Sequence, residues 1–404
     1  MSFQQGLSGL NATAKNLDVI GNNISNSSTI GFKGSAAQFS DVFANTAAGS
    51  GAAAVGIGTT VSAVLQNFTQ GNIEITDNPL DMAINGGGFF RMSSNGTIGY
   101  TRNGQFQLDK NGFIVNAAGK NLTGYPAAAS GSGVTTASPA NLQVSNADLA
   151  PAASTAANVG ANFDSRKSAL PAAGFNLSDP TTYHSATSTS VYDSLGNPHT
   201  LSAYFVKTSA NNWSVFAAND GTQVGAGPVG TIAFNSSGGV ASAPPIALSM
   251  PVATGASSIA MTMDLSKSTQ FGSVFGVNTL TQDGYSAGKL SGFSIAADGL
   301  INGRYSNGQS RAQGQVVLSN FTNPQGLQLL GNNQWGETAS SGVPLTGVPT
   351  SGNLGALQSG AVESANVDLT AELVNMITAQ RVYQANAQTI KTQDSVLQTL
   401  VNLR

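Results

Sequence analysis

The chain has 404 residues, of which 40% are hydrophobic and only 9% charged, with 48 glycines, no cysteine and a formal net charge of −3. That length suits two or three domains, since a single core rarely grows past about 250–300 residues. The lack of cysteine excludes disulfides, iron–sulfur clusters and thiolate zinc sites, and the lack of a basic run argues against nucleic acid. Soluble proteins usually carry roughly 25% charged residues. Here neutral polar groups replace them, which suits a surface packed against copies of itself, because few charges must lose their water.

The N-terminal stretch reads as helix. Phe3, Leu7, Leu10, Ala14, Leu17, Gly21 and Ile24 recur in alternating steps of four and three, a heptad seam. Gly6, Gly9 and Gly21 each weaken it by about 0.5–1 kcal/mol relative to alanine. Alone the helix is marginal; beside a partner its glycines permit close approach. The start lacks the cationic and apolar regions of a secretory signal, and no apolar run approaches the ~18–20 residues of a membrane span. The expectation is a cytosolic chain or one exported without a cleaved signal.

The segment NNISNSSTIGFKG, residues 22–34, ends this helix, because Asn and Ser compete for backbone hydrogen bonds. Asn22 and Asn23 stand at the terminus. Gly31 can take a backbone angle other residues avoid, Phe32 is a plausible anchor, and Lys33 is the one charge at the joint. The glycan pattern at Asn23 and Asn26 is too short to carry weight. Residues 35–70, including AAGSGAAAVGIG, read as a flexible connector.

Next come short strands. In ITDNPLDMAINGGGFF, Asp77 and Asp81 lack metal-loop spacing, and the glycines lead into Phe89-Phe90, so a turn entering a buried strand is favoured over a phosphate cradle. Asn95-Gly96, Asn103-Gly104 and Asn111-Gly112 recur every eight residues and predict hairpin turns; Asp298-Gly299, Asn302-Gly303 and Asn307-Gly308 form a second such cluster. Between them the texture changes. SIAMTMDLS places Ile259, Met261, Met263 and Leu265 on one strand face. VYDSLGNPHT brings Asp193 near His199, where an acid–base pair is conceivable, but Gly-Asn-Pro is turn chemistry and no nucleophile accompanies them, so a hairpin is favoured.

From Ala361 to Arg404 there is neither Gly nor Pro. Leu369, Leu373, Met376, Tyr383, Ala387, Ile390, Leu397 and Val401 form a second seam, interrupted by Gln380 and Asp394. Asn366 or Asp368 can cap its start; Asp368 and Glu372 suit the positive end of the dipole, Lys391 and Arg404 the other. Its remaining faces are nearly uncharged, which points to burial among neighbouring subunits.

The predicted fold class is mainly β with long α-helical termini, an elongated nested chain with coiled-coil-like pairing of the end helices. The expected divisions are a terminal helical assembly domain (1–34 and 360–404), a connector (35–70), an inner β domain (71–150 and 285–359) and an inserted outer β domain (151–284). No catalytic, cofactor or metal residues are expected. The expected subunit-interface residues are Phe3, Leu7, Leu10, Leu17, Ile24, Leu369, Leu373, Met376, Tyr383, Ile390, Leu397 and Val401. The joint is expected at Asn22, Asn23, Gly31, Phe32 and Lys33.

The stretch NLDVIGNNISNSSTIGFK resembles the N-terminal signature of the flagellar rod and hook axial proteins, with Asn22, Asn23, Ile24, Asn26, Thr29, Gly31, Phe32 and Lys33 in place and Ser25 where that family usually has Ala. The C-terminal LVNMITAQRVYQANAQTIKTQDSVLQTLVNLR resembles its other signature, at Glu372, Arg381, Tyr383, Asn386 and Lys391. RNGQFQLDKNG and LTGYP are similar to its first β domain. Length and insert resemble the hook branch. The resemblance implies a homopolymer of many copies forming a flexible helical tube, a universal joint between rod and filament. Its implied partners are other axial proteins (rod, hook cap and hook–filament junction) and the flagellar export apparatus, and its implied place is outside the cell. The alternatives are a distal rod protein or, further off, a secreted β-rich adhesin or polysaccharide-acting enzyme.

Overall fold

A computed structural model describes residues 2–42, 56–128, 133–136 and 138–402. The chain divides into two compact units. The first comprises Met1–Ser145, Gly292–Arg304 and Ser310–Arg404; the second comprises Asn146–Ser291 and Tyr305–Gln309. The fold is mainly β, with a helix at each end.

In the first unit, α1 spans Ser2–Ser25 and α2 spans Leu369–Asn402. Of the two candidate caps for α2, Asp368 takes the position: its carboxylate accepts the N–H groups of Thr370 (2.9 Å) and Ala371 (3.1 Å), which the helix itself leaves unpaired. Arg404, expected at its far end, lies outside the described residues.

Residues 35–70 are not simply a connector. Strands β1 (Ser35–Val42) and β2 (Gly58–Gln66) pair antiparallel, with an irregularity between Gln38 and Phe39. The physical reason is legible in β2, where Val61, Ala63 and Leu65 alternate with more exposed residues on a β-branched background. Residues 47–55 of the glycine- and alanine-rich stretch lie outside the described residues.

The remaining strands of this unit form a thirteen-stranded sheet and two small pairs. The sequence expectation of Asn-Gly turns holds at Asn95-Gly96, where both residues have positive φ (50° and 86°) and join strands Phe89–Ser94 and Thr97–Thr101. It fails at two places. Asn302-Gly303 lies inside the strand Leu300–Tyr305, held there by pairing with Ser310–Val316. Gly104 is not a turn residue but a close-approach residue: a Cβ built there would stand 1.6 Å from the Met82 carbonyl oxygen. Phe89, Tyr100, Phe321 and Trp335 form an aromatic core, with Phe68 meeting Phe89 and Trp335 edge-on at 5.7 Å.

The second unit packs a five-stranded and a six-stranded sheet face to face. In the smaller sheet, strand Ala156–Asp164 runs parallel to Ile259–Asp264 and Thr269–Phe271 and antiparallel to Gly276–Gln282. The larger sheet centres on strands Ser185–Tyr192, Pro198–Ser209 and Asn212–Asn219. Ile259, Met261, Met263 and Leu265 all point into the shared core, as their alternation predicts. Trp213, almost fully buried, keeps its indole N–H satisfied by Gln270 Oε1 at 2.8 Å.

Candidate functional site: the junction of the terminal helices

Helix α1 ends where its own polar side chains compete for its last carbonyls. Ser25 Oγ donates to Gly21 O, Asn26 Nδ2 to Asn22 O and Ser27 Oγ to Ile24 O. Asn22 is exposed there, whereas Asn23 is buried and bridges segments. Its Oδ1 accepts the Ser35 N–H (2.9 Å), and its Nδ2 donates to Ser35 O (2.8 Å) and to Glu372 Oε1 of α2 (3.3 Å).

The chain then turns at Gly31, whose φ is +69° and whose N–H donates to Glu363 O at 2.7 Å. A Cβ on Gly31 would stand 2.5 Å from the backbone nitrogen of Asn103, so only glycine fits. Phe32 is buried.

Lys33 departs from expectation. It is not a lone charge at the joint but a fully buried member of a three-charge cluster. Its Nζ donates to Glu363 Oε1 and to Thr69 O, both at 2.7 Å. Glu363 Oε1 also accepts the Gly71 N–H, and Glu363 Oε2 accepts from Arg102 Nη1 at 3.1 Å. Arg102 Nη2 donates to Gly86 O at 2.8 Å, and its guanidinium lies 5.5 Å from the Phe89 ring centroid. Burial pushes the Lys33 and Arg102 pKa values down, and Glu363 opposes this in both. Two cations thus share one carboxylate out of contact with water. Sequence reading missed the roles of Glu363 and Arg102: Glu363 sits in no recognisable pattern, and Arg102 opens the quoted RNGQFQLDKNG motif with nothing in it to mark a buried charge.

A fourth tie runs through Asn366, whose Oδ1 accepts the Gly34 N–H while its Nδ2 donates to Asn67 O and Thr69 O. The exit of α1, the segment 67–71 and the entry to α2 are therefore one hydrogen-bonded junction.

Above it, α1 lies against α2 through its glycines, as close approach predicts, and of the seam residues Ile390 meets Gly6. The buried residues of α1 are Gly6, Ala12, Thr13, Ile20 and Asn23, most of them shifted by one position from Leu7, Ala14, Gly21 and Ile24. A Cβ on Gly6 would stand 3.1 Å from Ile390 Cγ1, and one on Gly9 2.9 Å from the Asn386 side chain. Small residues bring the backbones close, and the larger apolar residues are displaced to the flank. In the single chain Phe3, Leu7, Leu369, Leu373, Tyr383, Leu397 and Val401 remain 36–73% exposed. Leu10, Leu17, Ile24, Met376 and Ile390 are half-buried. A cleft of about 610 Å³ runs between the helices and the β1–β2 hairpin, lined almost wholly by neutral residues, with Glu372 its one charge.

Elsewhere, Asp193 and His199 do come together across the expected hairpin, joined by Asp220, which the sequence did not single out. Among the described residues no group of three or more acidic or histidine side chains is placed to hold a metal, and no helix is long and apolar enough to cross a membrane.

Helices that expose an apolar flank, tied by a buried junction to strands of the same unit, are the arrangement of a structural subunit. Residues 3–33 match the flagella basal body rod protein family, 83–159 the flagellar hook protein FlgE/F/G D1 domain, 158–285 the flagellar basal body protein FlaE D2 domain and 358–403 the flagellar basal body rod FlgEFG protein C-terminal domain. The chain is 43% identical over 412 residues to the flagellar hook protein FlgE of Salmonella typhimurium and 45% over 413 residues to that of Escherichia coli, covering all of each chain. It is 32% identical over 442 residues to that of Borreliella burgdorferi, covering all of this chain and 99% of the relative. The fold is also similar to that of the crystal structure of Helicobacter pylori flagellar hook protein FlgE2, with a TM-score of 0.56 at 14% identity over 72% of this chain and all of that one. The chain belongs to the flagellar hook protein FlgE family, a family of structural proteins.

Proposed function

We propose that many copies of this chain assemble into the hook of the bacterial flagellum, a flexible helical tube that passes torque from rod to filament as a universal joint. The observation that carries this reading is the displaced seam. Pairing of α1 with α2 consumes the small-residue stripe and leaves Phe3, Leu7, Leu373, Leu397 and Val401 without cover. Burying each Leu or Phe fully is worth roughly 1.5–3 kcal/mol, and a neighbouring copy is the partner that supplies such burial at every subunit.

In this reading the paired termini act as a coiled-coil-like inner core, the first β unit packs around it, and the unit at 151–284 is nested in the chain as the outermost layer. Rod, hook-cap and hook–filament junction proteins meet its ends. Subunits reach the cell exterior through the flagellar export apparatus without a cleaved signal. Deleting the gene in a motile bacterium and viewing basal structures by electron microscopy tests the proposal. A rod without a hook supports it; a missing or truncated rod supports a distal rod protein instead.

A further inference from the structure

The second unit contains a His–Asp cluster, with His199 and Asp193 buried and Asp220 half exposed, that the assembly reading does not use. His199, at the start of strand Pro198–Ser209, has an acceptor at each ring nitrogen. Nδ1 lies 2.6 Å from Asp220 Oδ2, and Nε2 lies 3.3 Å from Asp193 Oδ2. A neutral imidazole has one N–H and can serve only one carboxylate; its bare nitrogen would face the other. Two carboxylates therefore hold the ring doubly protonated. Asp193 comes from the turn after strand Ser185–Tyr192 and Asp220 from the turn after strand Asn212–Asn219. The loop at residues 251–258, which packs on the same cluster, has no ionisable side chain.

That loop is what gives the cluster a consequence. It connects strands Ile246–Met250 and Ile259–Asp264 of the five-stranded sheet, whereas His199, Asp193 and Asp220 belong to strands and turns of the six-stranded sheet. Thr254 Oγ1 donates to Asp193 Oδ2 at 2.7 Å, the same oxygen that His199 faces. Ser257 N–H donates to Ser194 Oγ at 3.3 Å beside it. Asp193 is fully buried, and Leu195 N–H, Asn197 N–H and Asn197 Nδ2 complete its shell. A carboxylate so far from water is kept ionised by these hydrogen bonds, chiefly those from Asn197 and Thr254, with His199 adding to them.

We propose that His199 is a proton-operated latch, joining the two sheets of the outer unit at one end through Asp193 and Thr254. With the proton in place, Asp193 holds both its own turn and the loop at 251–258. Without it the ring serves only one carboxylate, Asp193 or the half-exposed Asp220, and where buried Asp193 is left facing the lone pair the Thr254 tie loosens. Asp220 and Asp193 both raise the His199 pKa above the ordinary histidine value of about 6.5, against burial, which lowers it. Hydrogen bonds hold the Asp193 carboxyl below its usual range despite burial. The latch is thus closed below the elevated His199 pKa and opens as pH rises through it.

The chain has two histidines, so ring-nitrogen NMR on full-length, histidine-labelled protein can assign both with single variants. The expected result is two N–H signals for His199 below its midpoint and a midpoint above 6.5. Amide protection at 254–257 should fall, beyond the intrinsic base-catalysed change, by about tenfold for each unit of that displacement. His199→Gln and Thr254→Val should both lose this pH dependence. A His199 midpoint at or below about 6.5, or protection at 254–257 that ignores its titration, overturns the proposal. The wild-type titration decides even where a variant fails to fold.

Discussion

Lys33 and Glu363, 330 positions apart in the chain, meet at 2.7 Å with neither side chain reaching solvent. Because Arg102 shares the same carboxylate, the two ends of the pair are not equivalent. Glu363→Gln strands two buried cations and should cost about 3–5 kcal/mol. Lys33→Met leaves the Glu363–Arg102 pair intact, and Thr69 O keeps its bond from Asn366. It should cost about 1.5–3 kcal/mol, the range for hydrogen bonds to charged groups. Urea titration of the monomer measures both; equal losses would contradict the shared-carboxylate account.

Gly31 and Gly21 should respond oppositely to alanine. At Gly31 the substitution meets a positive φ and the Asn103 backbone, and a loss of about 2 kcal/mol or more is expected. At Gly21, inside α1 with open space around the new methyl, a gain of about 0.5–1 kcal/mol is expected. Thermal unfolding of the two variants provides the comparison.

Leu7→Asn and Leu373→Asn should cost the monomer little, since 43% and 45% of these residues already face solvent there, with losses of about 1 kcal/mol or less. Polymerisation should nonetheless fail or need a much higher protein concentration, as read by sedimentation. Normal assembly of both variants would remove the seam from the interface.

His184 gives a pH prediction with a definite sign. Its Nε2–H donates to Ser168 O at 2.8 Å, and its Nδ1 accepts the Lys207 N–H at 3.1 Å, so the folded chain requires the neutral ring. Burial, with Lys167 and Lys207 nearby, lowers its pKa. The unfolded state then binds more protons at mildly acid pH. The contribution of His184 is present above about pH 6.5 and is lost as pH falls toward its lowered value. A His184→Asn variant should show a smaller stability loss than wild type between about pH 7.5 and about pH 5.

Outer surfaces with few charges allow neighbouring copies to shift at low cost, on the proposed reading. Opposed charges introduced across a contact between outer units should stiffen the hook, with bending measured from filament fluctuations. An unchanged stiffness would count against sliding contacts.

Much of this was legible in residues. Steps of three and four marked both helices, and the Asn22–Ser28 run marked where α1 ends, because its side chains take the helix's own carbonyls. The pairing face was not legible to within one residue. Hydrophobic periodicity points to Leu7 and Leu10, whereas close approach selects Gly6 and Gly9, which an apolar count ignores. The β1–β2 hairpin carried a readable signal in the alternation of Val61, Ala63 and Leu65, obscured by the glycine-rich stretch before it. Glu363 carried none. A buried carboxylate is defined by what the fold brings to it, and Lys33 and Arg102 arrive from distant segments.

That distance has a consequence for how the chain comes together. Protein synthesis delivers residue 33 long before residue 363, as does any passage through a channel that begins at the N-terminus. Until the last tenth of the chain arrives, Lys33 has no counter-charge, Gly31 N–H has no acceptor at Glu363 and α1 has no α2 to lie against. The junction is therefore a completeness check. A chain cut short just before Glu363 keeps most of its strands but never completes this junction or gains α2.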